Sequence, residues 1–281
     1  MLGKCIGVGS SCEVYEWGGN EKVVKLFHTG TSREEVELEY RNSASAWGNG
    51  LPAARPFEQV EWDNRHGIVF EKVAGPTFVN RFFEQLYAFQ VIDYDHEESD
   101  LRKFARVLHD IHKEGIDGVV TEQKEHLKVI IGRPALLSDD DITALHAYID
   151  RLPANRKLCH GDTNPNNLIM REGAPVMIDW MHAAIGNPAA DVAEVCVTIL
   201  YAVLPPETPP DVLAFFEDMR ETACRIFVDE YVKLSGLTAA EITPWYVPSA
   251  ARQLASDALS DDHALNLANM IRAELHIFSG K

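Results

Sequence analysis

The feature that most constrains this chain is a change in the period of its apolar residues at Gly75. Up to Val73 they alternate in short runs separated by turn residues. After Ala74-Gly75-Pro76 they recur every three to four residues for most of the remaining length. A two-residue period places side chains alternately on the faces of a strand, and a 3.6-residue period gathers them on one face of a helix. Strands and helices therefore follow one another in blocks instead of interleaving, which predicts an α+β protein with a small β-rich unit before a larger helical one. The expected division is residues 1–72 and 73–281.

In the first unit, residues 5–9, 12–17 and 22–27 read as an antiparallel meander. Ser32 and Glu35 form a capping-box pattern that opens a helix to about Trp47, where Gly48 and Gly50 stop it. A second hairpin follows over 57–62 and 67–73, turning at Asp63 to His66. In the second unit helices are expected near 77–90, 99–114, 122–131, 138–151, 188–203, 210–234, 238–256 and 261–278. Residues 158–179 interrupt them with a polar loop and two short apolar runs.

Charge narrows the partners. The net charge is −17, with eight basic against eleven acidic residues up to Lys72 and eighteen against thirty-two after it. Such a surplus repels phosphate backbones and anionic lipid, so neither nucleic acid nor a membrane is an expected partner, and a cationic small molecule is favoured. The five cysteines are odd in number and contain no CxxC pair, which argues against a disulfide framework or zinc ribbon and suits a reducing cytoplasm. No apolar run approaches the roughly 18 residues needed to span a bilayer, and the first residues lack a signal-peptide stretch.

Three places carry chemistry. Gly7-Val8-Gly9-Ser10-Ser11 joins two strands and can present backbone N–H groups to phosphate oxygens. Lys25 lies mid-strand, and Glu34, Glu35, Glu37 or Glu39 on the following helix can pair with it; the spacing does not choose among them. The densest cluster is His160-Gly161-Asp162-Thr163-Asn164-Pro165-Asn166-Asn167, followed by Ile178-Asp179-Trp180. These offer two hard oxygen ligands and one spare carboxylate. Magnesium prefers oxygen ligands and is usually shared with nucleotide phosphates, so two protein ligands suffice, and the remaining carboxylate can orient an attacking hydroxyl. His109 and His112, one helical turn apart, have no evident third ligand and read as core-facing.

Together these residues resemble the aminoglycoside phosphotransferase family, the small-molecule branch of the protein-kinase-like fold. The resemblance spans roughly residues 5–195 and is carried by the HGDxxxxN and ID-W motifs. It implies a two-lobed structure, with a small antiparallel N-lobe containing one helix and a larger, mainly helical C-lobe. It also implies ATP or GTP as donor with magnesium. By the resemblance Asp162 is the catalytic base, Asn167 and Asp179 hold the metal, Lys25 and the loop of Gly7, Gly9, Ser10 and Ser11 hold the phosphates, and Glu39 is the helix acid, with Glu35 second. The backbones of Glu71 and Val73 would meet the adenine, and Asp191 would brace the helical lobe.

Met181 stands where members often carry Glu, Asn187 replaces a frequent Asp, and Thr163-Asn164 replace the common Leu-His. These departures bear on the substrate more than on the activity. Only eleven residues separate Asp179 from Asp191, too few for a switched activation segment plus a peptide platform. The expected acceptor is therefore small, an aminoglycoside-like antibiotic or a choline, amino-alcohol or sugar-amine metabolite, with contacts in residues 205–281. The rivals are a nucleotide-binding pseudokinase without turnover and an acidic scaffold without ligand. Retention of Lys25, Asp162, Asn167 and Asp179 argues against the first.

Overall fold

The alternating residues of the first unit close into one sheet. The computed structural model describes residues 1–9, 11–87, 96–112, 118–204, 208–255 and 259–278. Strands β1 (Leu2–Val8), β2 (Cys12–Trp17) and β3 (Lys22–Phe27) pair antiparallel in chain order. The hairpin of β4 (Pro56–Trp62) and β5 (Arg65–Glu71) joins them in the order β1-β2-β3-β5-β4. Its turn is tighter than the spacing suggested. Asp63 and Asn64 alone make it, with φ of 51° and 58°, the left-handed pair whose twist matches the flanking strands.

Helix α1 (Arg33–Gly48) begins at Ser32 with the expected reciprocal capping box to Glu35. It covers the sheet face that carries Cys12, Phe27 and Ile68, against its own Val36. Val24, Leu26 and Val69 pack on the opposite face. Strand alternation therefore sets Lys25 beside Phe27, facing α1.

The remainder is mainly helical: α2 (Phe78–Tyr87), α3 (Asp100–Ile111), α4 (Gln123–Ile131), α5 (Asp139–Arg151), then α6 (Ala189–Tyr201), α7 (Pro210–Ser235), α8 (Ala239–Ile242), α9 (Tyr246–Leu254) and α10 (Asp261–Phe278). Phe104 of α3 meets Phe78 and Phe227 at ring-centroid distances of 5.5 Å. Glu230 of α7 accepts from Arg102 and Arg106 of α3, each at 2.8 Å. The single helix expected over 238–256 is broken: a 3₁₀ turn over Thr243–Trp245 separates α8 from α9. Pro244 has no N–H to continue the first helix, and it opens the new turn instead.

Between α5 and α6 run β6 (Lys157–Cys159), a 3₁₀ turn (Pro165–Asn167), β7 (Leu168–Arg171), β8 (Ala174–Met177) and β9 (Ala184–Gly186). The β7–β8 hairpin was expected; the pairing of β6 with β9 was not, because three-residue strands are too short to show a period. Met177 donates to Pro52 O at 2.7 Å, and Asn42 of α1 donates to Trp180 O at 3.1 Å, tying the sheet-and-helix part to this hairpin region. Among the described residues, no helix is long and apolar enough to cross a membrane.

The connection after β5 passes so close to β7 that residue 75 must be glycine. Its φ is +144°, and a Cβ there would collide with the Met170 carbonyl oxygen. Gly75→Ala is therefore expected to lower stability by roughly 1–3 kcal/mol, read from denaturant midpoints at constant m-value.

Candidate active site

Lys25 points under α1, and its Nζ lies 2.8 and 2.9 Å from the two carboxylate oxygens of Glu39. Asp179 Oδ1 is 2.9 Å from the same nitrogen. Of the four acids the spacing left open, Glu34 and Glu37 are exposed and Glu35 is engaged in the helix cap. Lys25 and Glu39 are 7% and 1% exposed. Burial opposes the lysine's charge, but the carboxylates of Glu39 and Asp179 outweigh it and hold its pKa above the usual value. Burial pushes Glu39 up to about 7, against the pull of Lys25. At Asp179 the attraction of Lys25 overcomes burial and holds the carboxyl below the usual range. Asp179 also has φ +66°, a strained conformation for a residue with a side chain, of the kind found at functional sites.

The loop after β6 is held from α6. Asp191 accepts from His160 N at 2.6 Å, Gly161 N at 3.1 Å and His112 Nε2 at 3.0 Å, and the other ring nitrogen of His112 meets Tyr231 OH at 2.8 Å. Cys159 lies close enough to His112 and Asp191 to suggest a metal cluster, but both histidine nitrogens already have protein partners. Gly161 adopts φ +74°, and a Cβ there would strike the His182 carbonyl oxygen. Asp162 follows with both oxygens engaged: Oδ1 lies 3.1 Å from Arg252 Nη2, and Oδ2 accepts from Asn167 Nδ2 at 3.0 Å. Asn167 O in turn accepts from Ile178 N at 2.9 Å, which pins this loop to the residue before Asp179.

A cleft of about 450 Å³ lies between the sheet and the β7–β8 hairpin. Ile6, Val14 and Val23 line it from the sheet, Ile169 and Ile178 from the other side, and the connection Glu71 to Gly75 forms an edge. Lys25, Glu39 and Asp179 share this cavity with Glu71 and Val73. The Glu71 carboxylate accepts from Arg55 N at 3.1 Å and pairs with Arg171 at 2.9 Å, which fixes the edge.

Gly7 and Gly9 flank the β1–β2 turn, where Gly9 N donates to Cys12 O at 2.8 Å. Neither has a positive φ, and a Cβ at either would make only ordinary contacts, with Val14 and Cys12 respectively. The fold therefore does not itself require glycine here, whereas close approach of a ligand does. Ser11 is exposed, and Ser10 lies outside the described residues.

The donors suit a hard cation. Asp179 offers a carboxylate whose side chain is 30% exposed. With Nδ2 committed to Asp162, the remaining polar atom of the Asn167 side chain is its carbonyl oxygen.

Three contributors escaped the sequence reading. Arg252 of α9 binds Asp162, Glu194 (2.5 Å) and the Gly161 carbonyl, yet it lies ninety positions beyond Asp162 and no spacing rule links them. Glu194 accepts from Thr163 N at 2.9 Å; it stands one helical turn after Asp191, a signal that was present in the pattern. His126 and His182 form a ring-nitrogen pair at 3.0 Å beside Arg252.

In a scan of protein families, the phosphotransferase enzyme family matches residues 6–225. No curated protein matches the sequence. Among solved structures, choline kinase LicA from Streptococcus pneumoniae has TM-score 0.63 at 15% identity, covering 98% of this chain and 92% of that one. A thermostable mutant of aminoglycoside phosphotransferase APH(4)-Ia, in ternary complex with AMP-PNP and hygromycin B, has TM-score 0.64 at 16% identity, covering 100% and 95%. Aminoglycoside phosphotransferase APH(3'')-Id from Streptomyces rimosus has TM-score 0.60 at 13% identity, covering 88% and 90%. At these identities the likeness shows a shared two-lobed kinase-like fold. The family match over most of the chain goes further: this protein belongs to the aminoglycoside phosphotransferase family and is a small-molecule kinase acting on hydroxyl groups.

Proposed function

We propose that the protein moves the γ-phosphoryl group of ATP to a hydroxyl of a small acceptor with the help of magnesium. The nucleotide occupies the cleft between residues 1–72 and 73–281. The observation that carries this reading is the meeting of Lys25, Glu39 and Asp179 in that cleft, with the Asp162–Asn167 pair tied to the residue before Asp179 by the Ile178 N–Asn167 O hydrogen bond. The relative captured with AMP-PNP and hygromycin B supports a nucleotide donor and a small hydroxyl-bearing acceptor. GTP is the competing donor in the same assay.

Phosphoryl transfer asks the protein mainly for in-line positioning and charge stabilisation. Lys25, oriented by Glu39, supplies a fixed cation for the phosphates, and the backbone around Gly7 and Gly9 supplies N–H donors. Magnesium held by Asn167 and Asp179 would neutralise charge on the phosphate oxygens. Asp162, fixed by Arg252 and Asn167, keeps lone pairs for the acceptor hydroxyl. The hydroxyl oxygen attacks the γ-phosphorus, the bond to the β–γ bridging oxygen breaks, ADP leaves with that electron pair, and the acceptor's proton passes to Asp162.

Net charge alone favours an amine on the acceptor. However, Asp211, Glu217, Asp218, Glu221, Asp261 and Asp262 are exposed, and Glu207 and Asp257 lie outside the described residues. The five cysteines are free thiols, four of them buried, which supports a reducing cytoplasm.

Asp162→Asn is expected to lower kcat by roughly 10²–10⁴-fold while leaving nucleotide binding intact, measured by ADP release and by titration with a fluorescent ATP analogue. Nucleotide binding without turnover on any alcohol by the wild type would instead favour the pseudokinase. Gly7→Ala and Gly9→Ala should change stability by no more than about 0.5 kcal/mol yet weaken nucleotide binding severalfold.

Acid should destabilise the loop region. Burial, then the nearby Arg252 guanidinium, depress His182 to about 4, below the ordinary 6.5 that it regains on unfolding. The unfolded chain therefore binds this proton more readily, and stability falls as pH drops from about 6.5 towards 4. His182→Gln should flatten that fall in a plot of unfolding midpoint against pH.

A further inference from the structure

A second cavity, of about 260 Å³, opens beside the catalytic loop. Asn164, Pro165 and Asn166 form one wall, in the turn that follows Asp162. Gln253 forms another, next in sequence to the arginine that holds Asp162. The cavity thus adjoins the base through both elements that fix it. Apart from Thr198, the rest of its described lining is aliphatic and aromatic: Val79, Phe82 and Phe83 of α2 face Phe216 and Met219 of α7. Phe82 sits edge-on to Phe83 and Phe216, with centroids 5.7 and 5.5 Å apart.

The described lining of this cavity carries no charged side chain of either sign. No aspartate or glutamate is among its described lining residues. A protein cation packs behind this lining. Arg220, 5% exposed, lies 4.2 Å from the centroid of the Phe216 ring and donates to the carbonyls of Ile199 and Ala202, two lining residues, at 2.7 and 2.6 Å. Arg220 and its carboxylate partner Glu217, 2.7 Å away, both lie outside the lining, so the pair presents no free carboxylate to the cavity. The Phe216 ring is therefore already occupied by a guanidinium, and on the catalytic-loop side Asp162 and Glu194 are both paired with Arg252. An acceptor cation seated here would lose its hydration without gaining a free carboxylate.

We infer that the acceptor is an uncharged alcohol whose apolar ring or alkyl body fills this cavity, with its hydroxyl directed to Asp162. This inference rests on the phosphotransfer reading above and deepens it by naming the acceptor class. The volume lies just under the roughly 300–1,000 Å³ of pockets for drug-sized ligands, and suits one or two fused rings or a short alkyl chain. The transfer balances as for any alcohol: the O–P bond forms, ADP departs, and the hydroxyl proton goes to Asp162.

The test compares 2-(2-naphthyl)ethanol, choline and hygromycin B as acceptors in an ADP-release assay with ATP and magnesium. Calorimetric titration of each compound runs alongside. The naphthyl alcohol is expected to show kcat/KM at least about tenfold above either cation. Phe82→Ala and Val79→Asp should each raise its KM and Kd about tenfold or more, with circular dichroism and the unfolding midpoint reporting whether each variant is folded. If Val79→Asp does not fold, Phe82→Ala carries the comparison. A higher kcat/KM for choline or hygromycin B, or pocket variants with unchanged KM and Kd, overturns the inference. If ATP binds but no acceptor turns over, the phosphotransfer reading fails by itself. Calorimetry then still decides the cavity: naphthyl-alcohol binding that Phe82→Ala weakens supports an apolar seat, and absence of binding refutes it.

Discussion

A lysine ammonium withdrawn from water and shared by two carboxylates organises this molecule. An unpaired buried charge costs several kcal/mol, so Lys25 tolerates its position only because Glu39 and Asp179 meet it within 2.9 Å. Those partners come from different places: Glu39 from the helix over the sheet and Asp179 from the end of the β7–β8 hairpin. The contact therefore requires the two parts of the chain to dock in one register. Asn42 secures that register by donating to the Trp180 carbonyl, one residue past Asp179. Folding and site assembly are the same event here.

A second buried network supports the opposite side. Asp191 satisfies two consecutive backbone N–H groups of the loop and the His112 ring, so the chain before Asp162 has little freedom. Arg252 neutralises Asp162 and Glu194 together. Without that guanidinium, two neighbouring acids would repel each other at the mouth of the site. Both networks hold their members by several protein contacts at once, which is what a rigid frame for a reaction governed by positioning requires.

The sheet, α1 and most helices were legible in the sequence because apolar period and caps are local signals. The Ser32–Glu35 box and the run 22–27 needed no distant partner to be read. Spacing alone did not single out Glu39, which only the family resemblance named, because four acids share the helix and the choice depends on how α1 rolls on the sheet around Val36. The β6–β9 pairing was hidden because three-residue strands carry no period. Arg252 was hidden for another reason: its role exists only after α9 packs against α6, a relation between segments that no spacing encodes. The break at Pro244 was written locally and outweighed by a helical apolar pattern on either side.

The family match ends at residue 225, yet the arginine that holds Asp162 lies at 252, and its neighbour Gln253 lines the second cavity. Adjacent positions on one short helix thus touch the chemistry and the chamber beside it. Remodelling that helix would disturb the contact with Asp162 at the same time. The two positions share one stretch of backbone, so a substitution that shifts this helix reaches the Asp162 loop and the cavity wall together.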